Sequence, residues 1–248
     1  MITEKEKENF KLAAEKANAV DEYKSGIGTL SEKGLHRTIK YFIDEREENH
    51  EVAIGAFFAD VKNSEGIFEI QTASTSKLQR KLKCFIKDNK VTVVLPLITD
   101  KRIVFFDSES AEVINIRLSP KHRCCADALA EIFFISEFLD NENFCVKIML
   151  MSATEYRAVS SESKARKKPN TKIMIKPDEL VDIITVSSVD DIRALLPRNL
   201  PERFFAKEFT KRLSITPRKS YYALKLLRNL NIVKEVGKNK NAVIYSFS

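Results

Sequence analysis

The run KVTVVLPLI at residues 90–98 constrains the fold of this chain more than any other feature. It is continuously apolar and rich in β-branched residues, which is typical of a central strand buried on both faces of its sheet. A second run, NFCVKIMLMS at residues 143–152, has the same character. Strands of this kind lie in sheets that helices cover, so the two runs predict an α/β domain.

Shorter periodic segments surround these runs and predict the organisation of the chain. Apolar residues at helical spacing predict helices over residues 26–45, 74–88 and 125–139, whereas strand-like runs occupy 50–58, 66–72, 101–107 and 111–118. Residues 3–20 are typical of an exposed or lightly packed helix. The segment SSESKARKKPNTK at 160–172 is polar and basic, which is typical of a linker. We therefore predict an N-terminal helix (1–24), an α/β domain (25–158), a connecting segment (159–185) and a C-terminal domain (186–248).

Composition excludes several classes of protein. The chain has 248 residues, of which 44% are hydrophobic and 31% charged. It contains no run of about 18 apolar residues that would predict a membrane span, and its N-terminus is charged and lacks an apolar signal core. The four cysteines form no C-x-x-C pair, which favours reduced, structural thiols. We expect a cytoplasmic protein that does not associate with membranes.

Two carboxylates stand out in the predicted hairpin FFADVKNSEGIFEIQT, residues 57–72. A turn centred between Ser64 and Glu65 pairs residues whose numbers sum to 129, so that Asp60 directly faces Glu69. Like charges at directly opposed positions are destabilising, because their Cβ atoms lie only about 5 Å apart. Gln71 projects on the same face as Glu69, since side chains alternate along a strand.

A divalent cation between the two carboxylates would turn this repulsion into attraction, and hard oxygen ligands suit Mg²⁺ or Mn²⁺. The alternative is a slightly different register in which both carboxylates are exposed to solvent. Glu32 would add a third carboxylate from the preceding helix, although the sequence Thr29-Leu30-Ser31-Glu32 also fits a capping box. His36, one turn later, lies on the same helical face as Glu32, where packing or hydrogen bonding is the simpler role.

The order of these elements resembles the restriction-endonuclease-like PD-(D/E)XK core, a mixed sheet flanked by helices. The resemblance rests on residues 28–106: a helix with Glu32, a strand, a strand with Asp60, a strand with Glu69-x-Gln71, a helix and a buried strand. Longer strings are similar to an uncharacterised bacterial family that joins this core to a C-terminal winged helix-turn-helix: GTLSEKGLHRTIK, FEIQT followed by KLQRKL, SPKHRCCADALAEI and LPRNLPE.

The resemblance implies a metal-dependent nuclease. Asp60 and Glu69 would bind Mg²⁺ or Mn²⁺, the backbone carbonyl of Ile70 would add a ligand, and Glu32 would lie in an outer shell or contact a second metal. The implied reaction is phosphodiester hydrolysis, in which a metal-bound water attacks phosphorus in line. Nucleases of this kind often act as dimers, so a homodimer is a further expectation.

The chain departs from the superfamily motif at two places. Phe58 and Ala59 precede Asp60 where a proline is usual, and Gln71 replaces the usual lysine. The amide of Gln71 can orient a water but supplies no positive charge. Lys77, on the helix that follows the motif, is the nearest candidate to restore a cation, and its alternative is a solvated helix lysine.

The C-terminal segment is strongly basic. Residues 198–248 carry 12 Lys and Arg against 3 Asp and Glu, a net charge of +9, whereas residues 1–197 carry 30 against 32, a net charge of −2. Such asymmetry indicates a polyanionic partner. Periodicity predicts a helix, a break with Thr216 as N-cap and Pro217 at the first helical position, a second helix and a β-hairpin.

This order is similar to a winged helix-turn-helix, which implies double-stranded DNA as the partner. Arg218 and Lys219 would open the recognition helix, Tyr222 would lie one turn further on, and Lys238 and Lys240 would occupy the wing tip. Three functions stay open: a Mg²⁺-dependent DNA endonuclease, a non-catalytic DNA-binding regulator with a degenerate nuclease-like core, and an adaptor in which both domains bind protein.

Overall fold

A computed structural model of the chain describes residues 2–24, 33–159 and 170–248. The helices are α1 (Glu4–Lys24), α2 (Lys33–Ile43), α3 (Gln79–Phe85), α4 (Leu129–Ile132), α5 (Val189–Ala194), α6 (Ala206–Arg212) and α7 (Pro217–Asn229). The strands are β1 (His50–Ile54), β2 (Phe57–Asn63), β3 (Gly66–Ile70), β4 (Val91–Asp107), β5 (Val113–Leu118), β6 (Phe144–Val159), β7 (Asn170–Val186), β8 (Arg203–Phe205), β9 (Val233–Asn239) and β10 (Ala242–Phe247). Short 3-10 helices lie at Glu47–Asn49, Thr75–Lys77, Cys125–Ala128 and Phe133–Phe138.

Strands β1 to β7 form one large mixed sheet. The order is β1-β2-β3-β4-β6-β7, with β5 paired to the second half of β4. β4 runs parallel to both β3 and β6, whereas β7 is antiparallel to β6. Val91, Val93, Val94 and Leu95 of β4 are all buried, which confirms the predicted central strand. The predicted α/β class, a large mixed sheet flanked by helices, is likewise confirmed.

Hydrophobic clusters cover both faces of this sheet. On one face, α1 and α2 pack over β2, β3, β4, β6 and β7 through Phe10, Leu35 and Ile39. The predicted N-terminal helix is confirmed, but the expectation that it is exposed or lightly packed is wrong, because Phe10, Ala13 and Ala17 on one side of it are buried. On the other face, α3, α4 and the adjoining 3-10 turns form a cluster with the C-terminal helices. None of the described helices combines the length and the apolar character that crossing a bilayer requires.

The hairpin of β2 and β3 has the predicted register. Val61 faces Phe68, Lys62 faces Ile67 and Asn63 faces Gly66, so that the residue numbers sum to 129. The alternative register, with both carboxylates exposed, is wrong for Glu69, because only 2% of this residue is accessible to solvent. The turn residues thus fix which side chains oppose each other at the end of the hairpin.

The predicted connecting segment over residues 159–185 is wrong for its second half. Residues 170–186 form β7, which pairs with β6 from Val159 opposite Asn170 to Val146 opposite Val186. The side chains of this strand are partly exposed and basic residues precede it, so the sequence lacks the alternation of apolar and polar residues that predicts a strand. β7 completes the sheet edge and carries part of the packing surface for α1.

The C-terminal elements form a smaller unit that shares a core with the large sheet. β8, β10 and β9 make a three-stranded antiparallel sheet beside α6 and α7. Phe204, Phe209 and Leu227 of this unit belong to the same buried cluster as Leu129 and Ile148 of the α/β domain. The two parts therefore pack directly against each other through apolar side chains.

Candidate functional site

Asp60 and Glu69 lie together where β2 and β3 stop pairing, beyond Val61 and Phe68. The amide of Asp60 donates a hydrogen bond to Oε1 of Glu69 at 3.2 Å. The amide of Ile70 donates in turn to Oδ2 of Asp60 at 2.7 Å. Each carboxylate therefore accepts a hydrogen bond from the backbone of the opposite strand, and both are held in the gap between the two strands.

Two basic side chains from opposite faces of the sheet reach this pair. Nζ of Lys81, on α3, lies 2.6 Å from Oε2 of Glu69, and the Lys81 side chain is 21% exposed. Nε2 of His36, on α2, lies 3.3 Å from Oδ2 of Asp60. The carboxylates are thus flanked by the ammonium group of Lys81 on one side and the imidazole of His36 on the other.

The cation at the site is Lys81 and not the predicted Lys77. Residues 75–77 form a 3-10 turn, which the Ser74 side chain caps, and α3 begins only at Gln79. Lys77 is consequently exposed on this turn, whereas Lys81 lies one helical turn further along. Residues four apart lie on the same face of a helix, so the spacing between Lys77 and Lys81 is the sequence feature that indicates Lys81 as an alternative candidate.

The pKa values of the two carboxyl groups are shifted in opposite directions. Burial, together with the charge of Asp60, raises the pKa of Glu69 to about 7. Burial also acts to raise the pKa of Asp60, but the hydrogen bond and charge of His36, with the amide of Ile70, hold this pKa below its usual range. Two acids at such short range ionise in succession, so the pair as a whole retains a proton well above the pH at which an exposed Glu loses it.

The other predicted site residues lie at different distances from the pair. Gln71 directly follows β3. Its backbone N–H donates a hydrogen bond to the carbonyl oxygen of Val94 at 2.8 Å, and its side chain is half-buried. Ile70 is buried between Glu69 and Gln71. Glu32 falls outside the described residues. The structure thus gathers Asp60, Glu69, Ile70 and Gln71 and leaves Lys77 apart.

The two carboxylates are hard oxygen donors, but they are fewer than a closed metal site requires. Within residues 2–24, 33–159 and 170–248, no three His, Cys, Asp or Glu side chains are grouped so as to hold a metal ion. Mg²⁺, however, usually keeps several waters and is held by one or two carboxylates plus substrate phosphates. Asp60 and Glu69 supply two such carboxylates, and a bound cation would offset the Asp60 charge that, after burial, raises the pKa of Glu69.

Two of the five predicted DNA-binding residues make contacts inside the protein. Nζ of Lys219 lies 2.6 Å from Oδ1 of Asp127, which is buried. The ring of Tyr222 packs against Phe134 and Phe133, with centroids 4.8 Å and 5.4 Å apart. This face of α7 is therefore directed towards the α/β domain, a contact that a sequence reading of the C-terminal segment by itself misses.

The exposed face of α7 carries a different set of residues. Arg218, Tyr221, Lys225 and Arg228 recur every three or four positions and are all exposed, so they form one stripe along the helix. Nζ of Lys225 lies 5.1 Å from the ring centroid of Tyr221, and Arg228 pairs with Glu235 at 2.9 Å. We call these four residues the α7 stripe. Lys238 and Lys240, on the hairpin of β9 and β10, are exposed as predicted.

These features define a mixed α/β protein with a carboxylate pair at the edge of a hairpin and a basic C-terminal unit. The chain belongs to the family described as a domain of unknown function, DUF8091, whose profile matches residues 33–187. It is similar to an uncharacterized protein of Treponema pallidum (strain Nichols), with 25% identity over 220 residues that cover 88% of this chain and 86% of that protein. No solved structure matches the chain.

Proposed function

We propose that the chain is a Mg²⁺- or Mn²⁺-dependent DNA endonuclease that its C-terminal unit delivers to duplex DNA. The observation that carries this proposal is the reciprocal pair of Asp60 and Glu69, buried together despite their charges. A carboxyl group such as that of Glu69, whose pKa burial and a neighbouring carboxylate raise to about 7, is characteristic of sites with a chemical task. The order α2, β1, β2, β3, α3, β4 also agrees with the nuclease-like core that the sequence resembles.

Each residue of the site has a role in this proposal. Asp60 and Glu69, with the carbonyl of Ile70, would hold the metal, whose chemistry there would be to acidify a water and to neutralise charge on the scissile phosphate. Lys81 supplies the positive charge that Gln71 lacks, because its ammonium group already lies beside Glu69. Gln71 orients water through its amide. His36 fixes the orientation of Asp60 through Oδ2.

The C-terminal unit supports duplex DNA as the substrate. Its strand, helix, helix and hairpin agree with a winged helix-turn-helix, in which the second helix enters the major groove. The α7 stripe replaces Lys219 and Tyr222 as the surface that contacts DNA, since it is exposed and basic. Lys238 and Lys240 would contact phosphates beside it. The homodimer stays a prediction of the resemblance.

Plasmid cleavage with matched lysine variants tests the proposal. Supercoiled plasmid incubated with the protein and Mg²⁺ or Mn²⁺ should be nicked. Asp60→Asn should abolish nicking, because it removes a metal ligand. Lys81→Gln should slow nicking roughly 100-fold, the usual effect of losing one electrostatic contact to a transition state. Lys77→Gln, with its exposed lysine away from the pair, should retain the wild-type rate. Equal rates for the Lys81 and Lys77 variants would contradict the role of Lys81, and persistent nicking by Asp60→Asn would contradict the proposed site.

A second candidate is a DNA-binding protein without hydrolytic activity. The observation that favours it is the contact of Lys81 with Glu69 and of His36 with Asp60, which balances the pair without a metal. The replacement of the motif lysine by Gln71 agrees with this. This candidate predicts that the protein retards duplex DNA in a gel, that no nick appears with either metal, and that calorimetry detects no Mg²⁺ binding.

A further inference from the structure

A cleft of about 290 Å³ opens beside the carboxylate pair, along the middle of β4, the second half of β6 and the first half of β7. Its near end is formed by Leu35 and Thr72. Leu35 directly precedes His36 on α2, and Thr72 directly follows Gln71 after β3. The volume equals that of about ten liquid water molecules, enough for a solvated phosphate group.

Three cations without carboxylate partners converge on this cleft. Lys121 and Arg123, from the loop after β5, and Lys172, from β7, all line it and are exposed. Across the described residues, no Asp or Glu oxygen lies within ion-pair distance of any of the three. A concave site lined by charges of one sign concentrates counter-ions, so the cleft favours an anion.

A fourth cation in the cleft is neutralised. Nζ of Lys101 lies 2.5 Å from Oε2 of Glu155, whose side chain is 2% exposed. This buried pair forms part of the wall of the cleft and adds no net charge. The positive charge of the cleft therefore comes from Lys121, Arg123 and Lys172. The rest of the described lining is mostly aliphatic, from Pro96, Ile98 and Ile175 among others, and these described residues include no aromatic ring on which a base could stack. The ligand that fits is therefore a phosphate rather than a base.

The position of the cleft relates this phosphate to the candidate site. Thr72 is three residues beyond Glu69, so their Cα atoms lie at most about 11 Å apart. Along one nucleic-acid strand this distance corresponds to about three base steps at 3.4 Å each. We propose that the cleft binds a backbone phosphate of the strand that passes the Asp60–Glu69 pair, a few nucleotides from the bond to be cut. The inference rests on the proposed function for the identity of the strand.

Fluorescence anisotropy without metal tests the cleft independently of cleavage. A labelled 16-base-pair duplex and its single strand are titrated with protein in EDTA over a range of salt concentrations. The variant is Arg123→Gln with Lys172→Gln. Its matched control is Lys11→Gln with Lys87→Gln, which removes the same charge from exposed lysines outside the cleft. The slope of log affinity against log salt should become shallower by about 0.9 per lost duplex contact, or 0.7 for the single strand, only in the cleft variant.

Competition with inorganic pyrophosphate distinguishes a nucleic-acid phosphate from a free anion. We expect pyrophosphate at millimolar concentration to leave most of the labelled DNA bound, and the cleft variant to weaken DNA binding uniformly across sequences. Equal salt slopes for the cleft and control variants would overturn the proposal. So would tight pyrophosphate binding that the cleft variant removes while DNA affinity is unchanged. A shallower slope in the cleft variant, found together with no metal-dependent nicking by the wild type, would support the cleft and reject hydrolysis.

Discussion

Glu69 and Glu155 are both almost fully buried, with side chains 3% and 2% exposed, yet the pKa values of their carboxyl groups shift in opposite directions. Burial acts to raise the pKa of Glu155, but Lys101 and Arg157, each with a nitrogen 2.5 Å from a carboxylate oxygen, hold it below its usual value. Glu69 has one such cation and also faces Asp60, so its pKa rises. Glu155 is therefore stabilised in its charged form by two cations, whereas burial and the neighbouring Asp60 disfavour the charged form of Glu69.

Replacing Glu155 by Gln should destabilise the protein at neutral pH by about 3 kcal/mol, because it leaves two cations without their buried partner. A carboxyl group whose folded pKa is lowered contributes stability above its unfolded pKa and loses it as the pH falls. The difference between wild type and variant should therefore narrow below pH 4.5, the ordinary value for Glu. Urea unfolding at pH 7 and pH 3.5 measures this, with the exposed Glu48→Gln as control. A difference that is the same at both pH values would contradict the pairing.

At the scale of elements, the hairpin of β2 and β3 depends on one glycine. Gly66 has φ of +128°, a conformation that side chains disfavour, and a Cβ atom on it would lie 2.4 Å from the carbonyl oxygen of Lys90. The close approach exists because the amide of Ile67 donates to that same carbonyl at 2.8 Å, where β3 joins β4. This turn therefore fixes the register that places Asp60 beside Glu69.

Gly66→Ala should lower the free energy of unfolding by roughly 1–3 kcal/mol, the cost of a strained backbone conformation, because the alanine must also displace a backbone atom. Gly237→Ala is a matched control, since its added Cβ meets nothing within 4 Å. We expect the control to stay within about 0.5 kcal/mol of wild type. Guanidinium unfolding curves of the two variants provide the measurement. Equal stability of both would mean that the turn adapts without cost.

The elements that sequence periodicity predicted well are those whose two faces have the same environment. The first half of β4 is buried on both faces and β6 is buried or partly buried throughout, so their residues form continuous apolar runs, and the turn NSEG fixes the hairpin register through local chemistry. β7 escaped prediction because most of its residues are exposed or only partly buried, without a clear alternation, and a basic segment precedes it. Lys81 was missed because a 3-10 turn shifts the start of α3, which changes the lysine that faces Glu69.

At the scale of the whole molecule, the main difference from expectation is how the C-terminal unit is attached. Asp127 and Lys219 pair across the junction, and Tyr222 packs on Phe133 and Phe134. These residues are about 90 positions apart in sequence, so no local pattern predicts the contact. The packing fixes one face of α7 on the α/β domain and directs the α7 stripe outward, so DNA on that stripe would be held in one orientation relative to Asp60 and Glu69.

Two neighbouring tyrosines on α7 should therefore have opposite effects when each is replaced by alanine. Tyr222→Ala should lower the free energy of unfolding by roughly 2 kcal/mol, through loss of ring packing at the junction, and leave DNA affinity nearly unchanged. Tyr221, 56% exposed, should show the reverse: stability within about 0.5 kcal/mol of wild type, and DNA affinity about fivefold weaker, the effect of one hydrogen bond. Urea unfolding and duplex titration by anisotropy measure both quantities on the same samples.

Since apolar side chains join the C-terminal unit to the large sheet in one cluster, wild type should unfold in a single transition. Two separate transitions would mean that the C-terminal unit unfolds independently of the large sheet. A loss of DNA binding in the Tyr222 variant alone would mean that the recognition surface is the face of α7 packed against Phe134, and that this contact must open before DNA binds.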